Sequence, residues 1–108
     1  MDQITLITDE AIDRAHKHAN KDWVRAALQA GETLAYRFER LTTDDIWFEM
    51  ENSHPDLSTH EPRAMGGVMR QLKSRGTIRP STLYVKSERL SRHGAPIRVW
   101  MSRIIKRR

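Results

Sequence analysis

At 108 residues the chain has room for one domain with a modest core, and its hydrophobic share of 38% is lean. It contains no cysteine, which excludes a disulfide framework or a thiolate metal site and suits a reducing compartment. Asp2, Asp9 and Glu10 among short apolar pairs do not make a signal peptide, and no apolar run approaches the roughly 18 residues of a membrane span, so a soluble cytoplasmic protein is expected.

The net charge is +5, but its distribution is more informative. Residues 1–59 hold 6 Lys and Arg against 12 Asp and Glu, whereas residues 60–108 hold 13 against 2. A half-chain this basic points to a polyanionic partner, with nucleic acid ahead of an anionic membrane.

In chain order, a first helix is expected from an N-cap at Thr8, with Asp9 and Glu10 in its first turn and Ile12, Ala15 and Ala19 on one face. A second, continuous with the first or separate, is expected from about Asn20 to Arg40. Its apolar stripe is Trp23, Ala27, Ala30, Leu34, Phe38 and Leu41. Gly31 costs that helix roughly 1 kcal/mol relative to Ala and marks a close helix crossing. Thr42 or Thr43 caps the next helix, where Asp44 and Asp45 face its positive end and Ile46, Trp47 and Met50 supply the buried side. Ser53 to Glu61 reads as a polar connection.

Pro62 suits the first position of a helix running to Arg75 and stopped by Gly76, with Met65, Val68, Met69 and Leu72 inward. The period then changes. Leu83 to Val85 and Ile97 to Met101 read as two strands joined by a charged hairpin over residues 87–96. The expected fold is mainly α with a small β-hairpin. An N-terminal helical extension (1–19) precedes the main domain (20–103), and a basic tail (104–108) follows it.

Thr43-Asp44-Asp45-Ile46-Trp47, Pro62 through Met69, Gly76-Thr77-Ile78, the strand from Tyr84 to Ser87 and His93 through Trp100 together resemble a winged helix-turn-helix group common in bacteriophages and prophages. The resemblance spans roughly residues 22–102. It implies a winged helix-turn-helix that binds double-stranded DNA through the second helix of the pair and the hairpin wing, in a bacterial host cell and at its nucleoid. A phage or mobile-element transcriptional regulator, or a replication accessory factor, would fit. The connection from Ser53 to Glu61 is longer than the 3 or 4 residues of a tight helix-turn-helix.

The residues support the same chemistry without the resemblance. With Met65, Met69 and Leu72 inward, the opposite face of the 62–75 helix shows Arg63, Gly67, Arg70, Gln71, Lys73 and Ser74. Arg and Gln suit bidentate contacts with guanine and adenine edges, while Lys73, Ser74 and Arg75 suit phosphates. Gly66 and Gly67 inside a helix are costly and serve either close approach to DNA or packing between helices. The hairpin adds Lys86, Arg89, Arg92, His93 and Arg98 for the backbone or a narrow minor groove. Arg103, Lys106, Arg107 and Arg108 add sequence-independent phosphate contacts.

No cofactor is expected, nor a metal: His16 and His18 point apart on a helix, and His54, His60 and His93 have no carboxylate pattern around them. Asp44, Asp45, Glu49 and Glu51 read as helix-end charges and solvated face rather than nuclease ligands. No phosphate loop or nucleophile motif argues for an enzyme. At least two of Trp23, Trp47 and Trp100 are expected in the core rather than stacking on single-stranded bases. The Trp23 stripe is a candidate surface for a homodimer or host protein. The rival function is a protein-interaction module whose basic surface meets an acidic host protein.

Overall fold

A computed structural model describes the backbone of residues 2–58 and 63–106, and the side chains of these from residue 20 onward. The elements are α1 (Asp2–Arg37), β1 (Arg40–Leu41), α2 (Thr43–Ser53), α3 (Ala64–Ser74), β2 (Ile78–Lys86) and β3 (Pro96–Ser102), with a 3₁₀ turn at Leu90–Arg92. The described residues form a small α/β domain of three helices and one three-stranded antiparallel sheet.

The two candidate N-terminal helices are one helix of 36 residues, about 54 Å long at 1.5 Å per residue. It starts ahead of Thr8 and ends three residues short of Arg40. The expected side chains Ile12, Ala15 and Ala19 lie outside the described set. Trp23, Ala27, Ala30 and Leu34 are buried as the stripe requires. Phe38 is a correction: it follows the helix end and is exposed. Leu41 is buried from β1 rather than from the helix, because its strand pairs with β3 (Arg40 opposite Met101, Leu41 opposite Trp100). A two-residue strand has no readable period, so the expected hairpin acquires an unforeseen third strand.

α2 begins with a capping box. The Asp45 N–H donates to Thr42 Oγ1 (3.3 Å), and the Thr42 N–H donates to Asp45 Oδ2 (2.8 Å). α3 starts at Ala64, and Pro62 lies outside the described residues. Its end is a Schellman closure: Gly76, at φ 78°, donates to the Lys73 carbonyl (3.0 Å) and Thr77 to that of Leu72 (2.9 Å).

The core joins Trp23 to Ala35 of α1, Ile46 and Met50 of α2, Met65, Val68, Met69 and Leu72 of α3, and Leu41 and Ile78 of the sheet. Only Trp23 of the three tryptophans is fully buried; Trp47 and Trp100 are half-buried against this core. The expectation of two was too high. β3 lies between β1 and β2. Both strands of the hairpin are longer than their apolar stretches, since Ile78 to Pro80 pair with Trp100 to Ser102. Between Pro80 and Tyr84 the register slips. Pro80 has no N–H for the ladder, and the Ser81 hydroxyl donates instead to the Val99 carbonyl (2.5 Å) while accepting from the Leu83 N–H (3.0 Å).

Gly31 is where α1 and α3 meet: a Cβ there would stand 2.5 Å from a Leu72 methyl carbon. Leu72 is fully enclosed and cannot swing away freely. Gly66 and Gly67 behave oppositely. Among the described residues a Cβ at Gly66 meets nothing within 4 Å, and one at Gly67 meets only the Arg70 guanidinium at 4.0 Å. Gly31→Val should therefore lower stability by about 1–3 kcal/mol through overpacking. Gly66→Ala should raise it by about 0.5–1 kcal/mol by stiffening the unfolded chain and favouring helix. Thermal melts of the two variants check both signs.

Candidate nucleic-acid interface

α3 presents its outer face because its inner one is fully used. Met65, Val68, Met69 and Leu72, at intervals of 3, 1 and 3, are buried, which leaves Arg63, Gly66, Arg70, Gln71, Lys73, Ser74 and Arg75 exposed. The helix carries no carboxylate. Arg70, Gln71 and Lys73 make no side-chain hydrogen bond or ion pair with the described residues, so their donors remain available. Arg63 occupies the N-cap without making a side-chain cap bond. Arg75 is already paired, with Glu32 of α1 at 2.9 Å. Both partners are substantially exposed, so this pair contributes little to stability.

The second basic element is the turn between β2 and β3. Its base is fixed by a contact that sequence reasoning missed. Asp44, in the first turn of α2, is buried; its carboxylate accepts the Ser87 hydroxyl, shared between Oδ1 (2.9 Å) and Oδ2 (3.0 Å), and the Glu88 N–H at 2.7 Å. The Ser87 oxygen in turn accepts the Arg89 N–H at 3.3 Å. Asp44 looked like one of two equivalent helix-end charges, but Asp45 alone closes the capping box. The lone signal was a Ser at the end of an expected strand, too common to single out.

Beyond that anchor the expected wing cations divide. The Arg89 guanidinium lies over the Trp47 ring, 4.0 Å from its centroid, and is partly buried there. Arg98 donates to the Tyr84 hydroxyl at 2.7 Å and lies 5.4 Å from that ring's centroid. Lys86, Arg92 and His93 are exposed with no side-chain partner among the described residues. His93 holds φ 50°, in the left-handed region that non-glycine residues seldom adopt, and Gly94 follows at φ 74°. The outward cationic set is therefore Arg63, Arg70, Lys73, Lys86 and Arg92, with Gln71, Ser74 and His93 among them. Arg75, Arg89 and Arg98 are held by neighbours.

Among the described residues no group of three or more His, Asp and Glu side chains is placed to hold a metal ion. Glu49 accepts from the Ser53 hydroxyl at 2.9 Å. His60, Arg107 and Arg108, and the side chains of His16 and His18, lie outside the described set. Arg103 and Lys106 are exposed, and their backbone N–H groups donate to the Thr77 (2.9 Å) and Tyr36 (3.3 Å) carbonyls. The start of the basic tail is thus tied to the domain. The tryptophans offer little free stacking face: Trp23 is enclosed, and Trp47 lies between Trp23, 5.1 Å away, and Arg89. No helix among the described residues is long and apolar enough to cross a membrane.

Comparison with protein-family models, with curated proteins and with solved structures finds no significant match to this chain.

The Asp44 anchor has a direct test. Asp44→Ala removes a charged acceptor from buried or part-buried donors and should cost about 2 kcal/mol. Amide hydrogen exchange at Glu88 should speed up in this variant well beyond the global loss of stability, because the hairpin base loses its tether. Unchanged protection at Glu88 would show that the hairpin is held by something else.

Proposed function

We propose that the chain is a winged-helix protein that binds double-stranded DNA, with α3 in the major groove and the β2–β3 turn as a wing against the flanking backbone or minor groove. The order α1-β1-α2-α3-β2-β3, with β3 central in the sheet, agrees with that architecture. In this reading Arg63, Arg70 and Gln71 contact base edges, and Lys73, Ser74, Lys86, Arg92 and His93 contact phosphates. Arg75, Arg89 and Arg98 support the interface from its edges. The role is that of a regulator or replication accessory factor of a phage or mobile element, working without a cofactor in the bacterial cytoplasm.

The observation that carries the reading is the outer face of α3. It combines free Arg and Gln donors, an absence of carboxylates and a Gly66–Gly67 pair that no neighbour among the described residues requires. Two glycines in a helix cost stability, and packing among the described residues gives no return for them. Close approach of a rigid partner surface to the helix backbone does.

Duplexes selected from a random pool should bind with affinity that falls steeply as salt rises, since each phosphate contact releases condensed counterions. Arg70→Ala combined with Arg92→Ala should weaken binding by about tenfold or more. Gly66→Ala, although more stable, should also bind more weakly. Duplex affinity at low salt that is indifferent to the double substitution would sink the proposal and favour an acidic protein as the partner of this surface.

A further inference from the structure

Leu90 stands at the outermost turn of the wing with 92% of its surface in water. The other exposed large apolar side chains, such as Phe38, Leu83 and Tyr84, are 37–55% exposed, so each keeps close to half or more of its surface covered. Single exposed apolar residues are ordinary on protein surfaces, but this one is distinguished by how it is held.

Its turn is closed by successive backbone bonds: Arg92 to the Arg89 carbonyl (3.0 Å), His93 to that of Leu90 (3.2 Å) and Ala95 to that of Arg92 (2.9 Å). Below these, the Ser87 N–H donates to the Ala95 carbonyl (2.9 Å), and Ser87 and Glu88 are fixed on the buried Asp44. The result is a short, stiff projection with an apolar end and with Arg92 and His93 beside it. Against phosphates alone, a leucine at that point makes no hydrogen bond and dries nothing. Between base pairs it is desolvated on both sides, and the adjacent cations find the negative potential of a narrow minor groove.

We infer that Leu90 is an apolar wedge that enters the minor groove beside the α3 site, inserts at one base step and bends the duplex toward the major groove. This rests on the DNA-binding reading and adds a deformation to it. Pyrimidine–purine steps unstack most readily, so a TA or CA step at a fixed offset from the α3 contacts becomes part of the recognised sequence without a hydrogen bond to its bases.

The test uses the full chain and a selected duplex carrying 2-aminopurine at successive steps, with donor and acceptor dyes at the two ends. With the parent protein, fluorescence should rise at a single step and the ends should move closer. Leu90→Ala and Leu90→Ser should abolish both signals and weaken binding by roughly tenfold, whereas Leu90→Met should retain both. An exposed side chain leaves the fold untouched, so melting temperatures should match the parent. A bound duplex with no unstacked step and no change in end distance, or one that Leu90→Ala bends equally, overturns the wedge and leaves DNA binding standing. A failure of the parent protein to bind any duplex at low salt overturns both.

Discussion

The close crossing of α1 over α3 at Gly31 governs this molecule. Ala26, Ala27, Ala30, Gly31 and Ala35 give α1 a buried side with little bulk, and the Leu72 methyl occupies the space that a side chain at Gly31 would take. A long helix with such a side lets α3 lie deep against it. Depth also fixes rotation: once Leu72 is seated with Val68, Met69 and Met65, the opposite face of α3 has to be the one carrying Arg63, Arg70, Gln71 and Lys73. Interiors are close-packed, so that rotation is not free to drift. The face offered to a partner is thus a consequence of what α1 accepts.

A second constraint sets the β2–β3 hairpin. It is tethered at its base to the first turn of α2 through the buried Asp44 carboxylate. A buried carboxylate is tolerated because two donors satisfy it, the Ser87 hydroxyl shared between its oxygens and the Glu88 N–H, and removing them would leave a charge with neither water nor partner. The same anchor joins the two segments between which α3 is placed in the chain. The base of the hairpin and the start of α2 are therefore bonded to one another.

Cations that are equivalent in a sequence become unequal on this frame. Arg75 turns back to Glu32, Arg89 covers Trp47 and Arg98 leans on Tyr84, while Arg70, Lys73 and Arg92 stay open. Guanidinium groups that stack on rings or pair with carboxylates give up part of the freedom they would otherwise lose on meeting phosphates. The open ones carry the larger share of any salt-dependent attraction.

The sequence by itself determined the presence of the helices and most of their inner faces, but not the start and end of α1, which the expected cap at Thr8 and the stripe through Phe38 and Leu41 misplaced. Periods of 3 and 4 in Trp23, Ala27, Ala30 and Leu34, and in Met65, Val68, Met69 and Leu72, are imposed by helix geometry and survive any packing. A cap at Thr42 or Thr43 and a stop at Gly76 were legible because capping is local chemistry, and the structure chose Thr42. Only the tertiary structure decided the third strand at Arg40–Leu41, the pairing of Ile78 and Pro80 with the far end of β3, and the Asp44–Ser87 anchor across 43 positions. Each joins residues far apart in the chain, and no local propensity encodes such a contact. The Gly66–Gly67 pair shows the division most clearly. Its local cost could be read from the sequence, but that no neighbour among the described residues needs it could be seen only once the space around it was known.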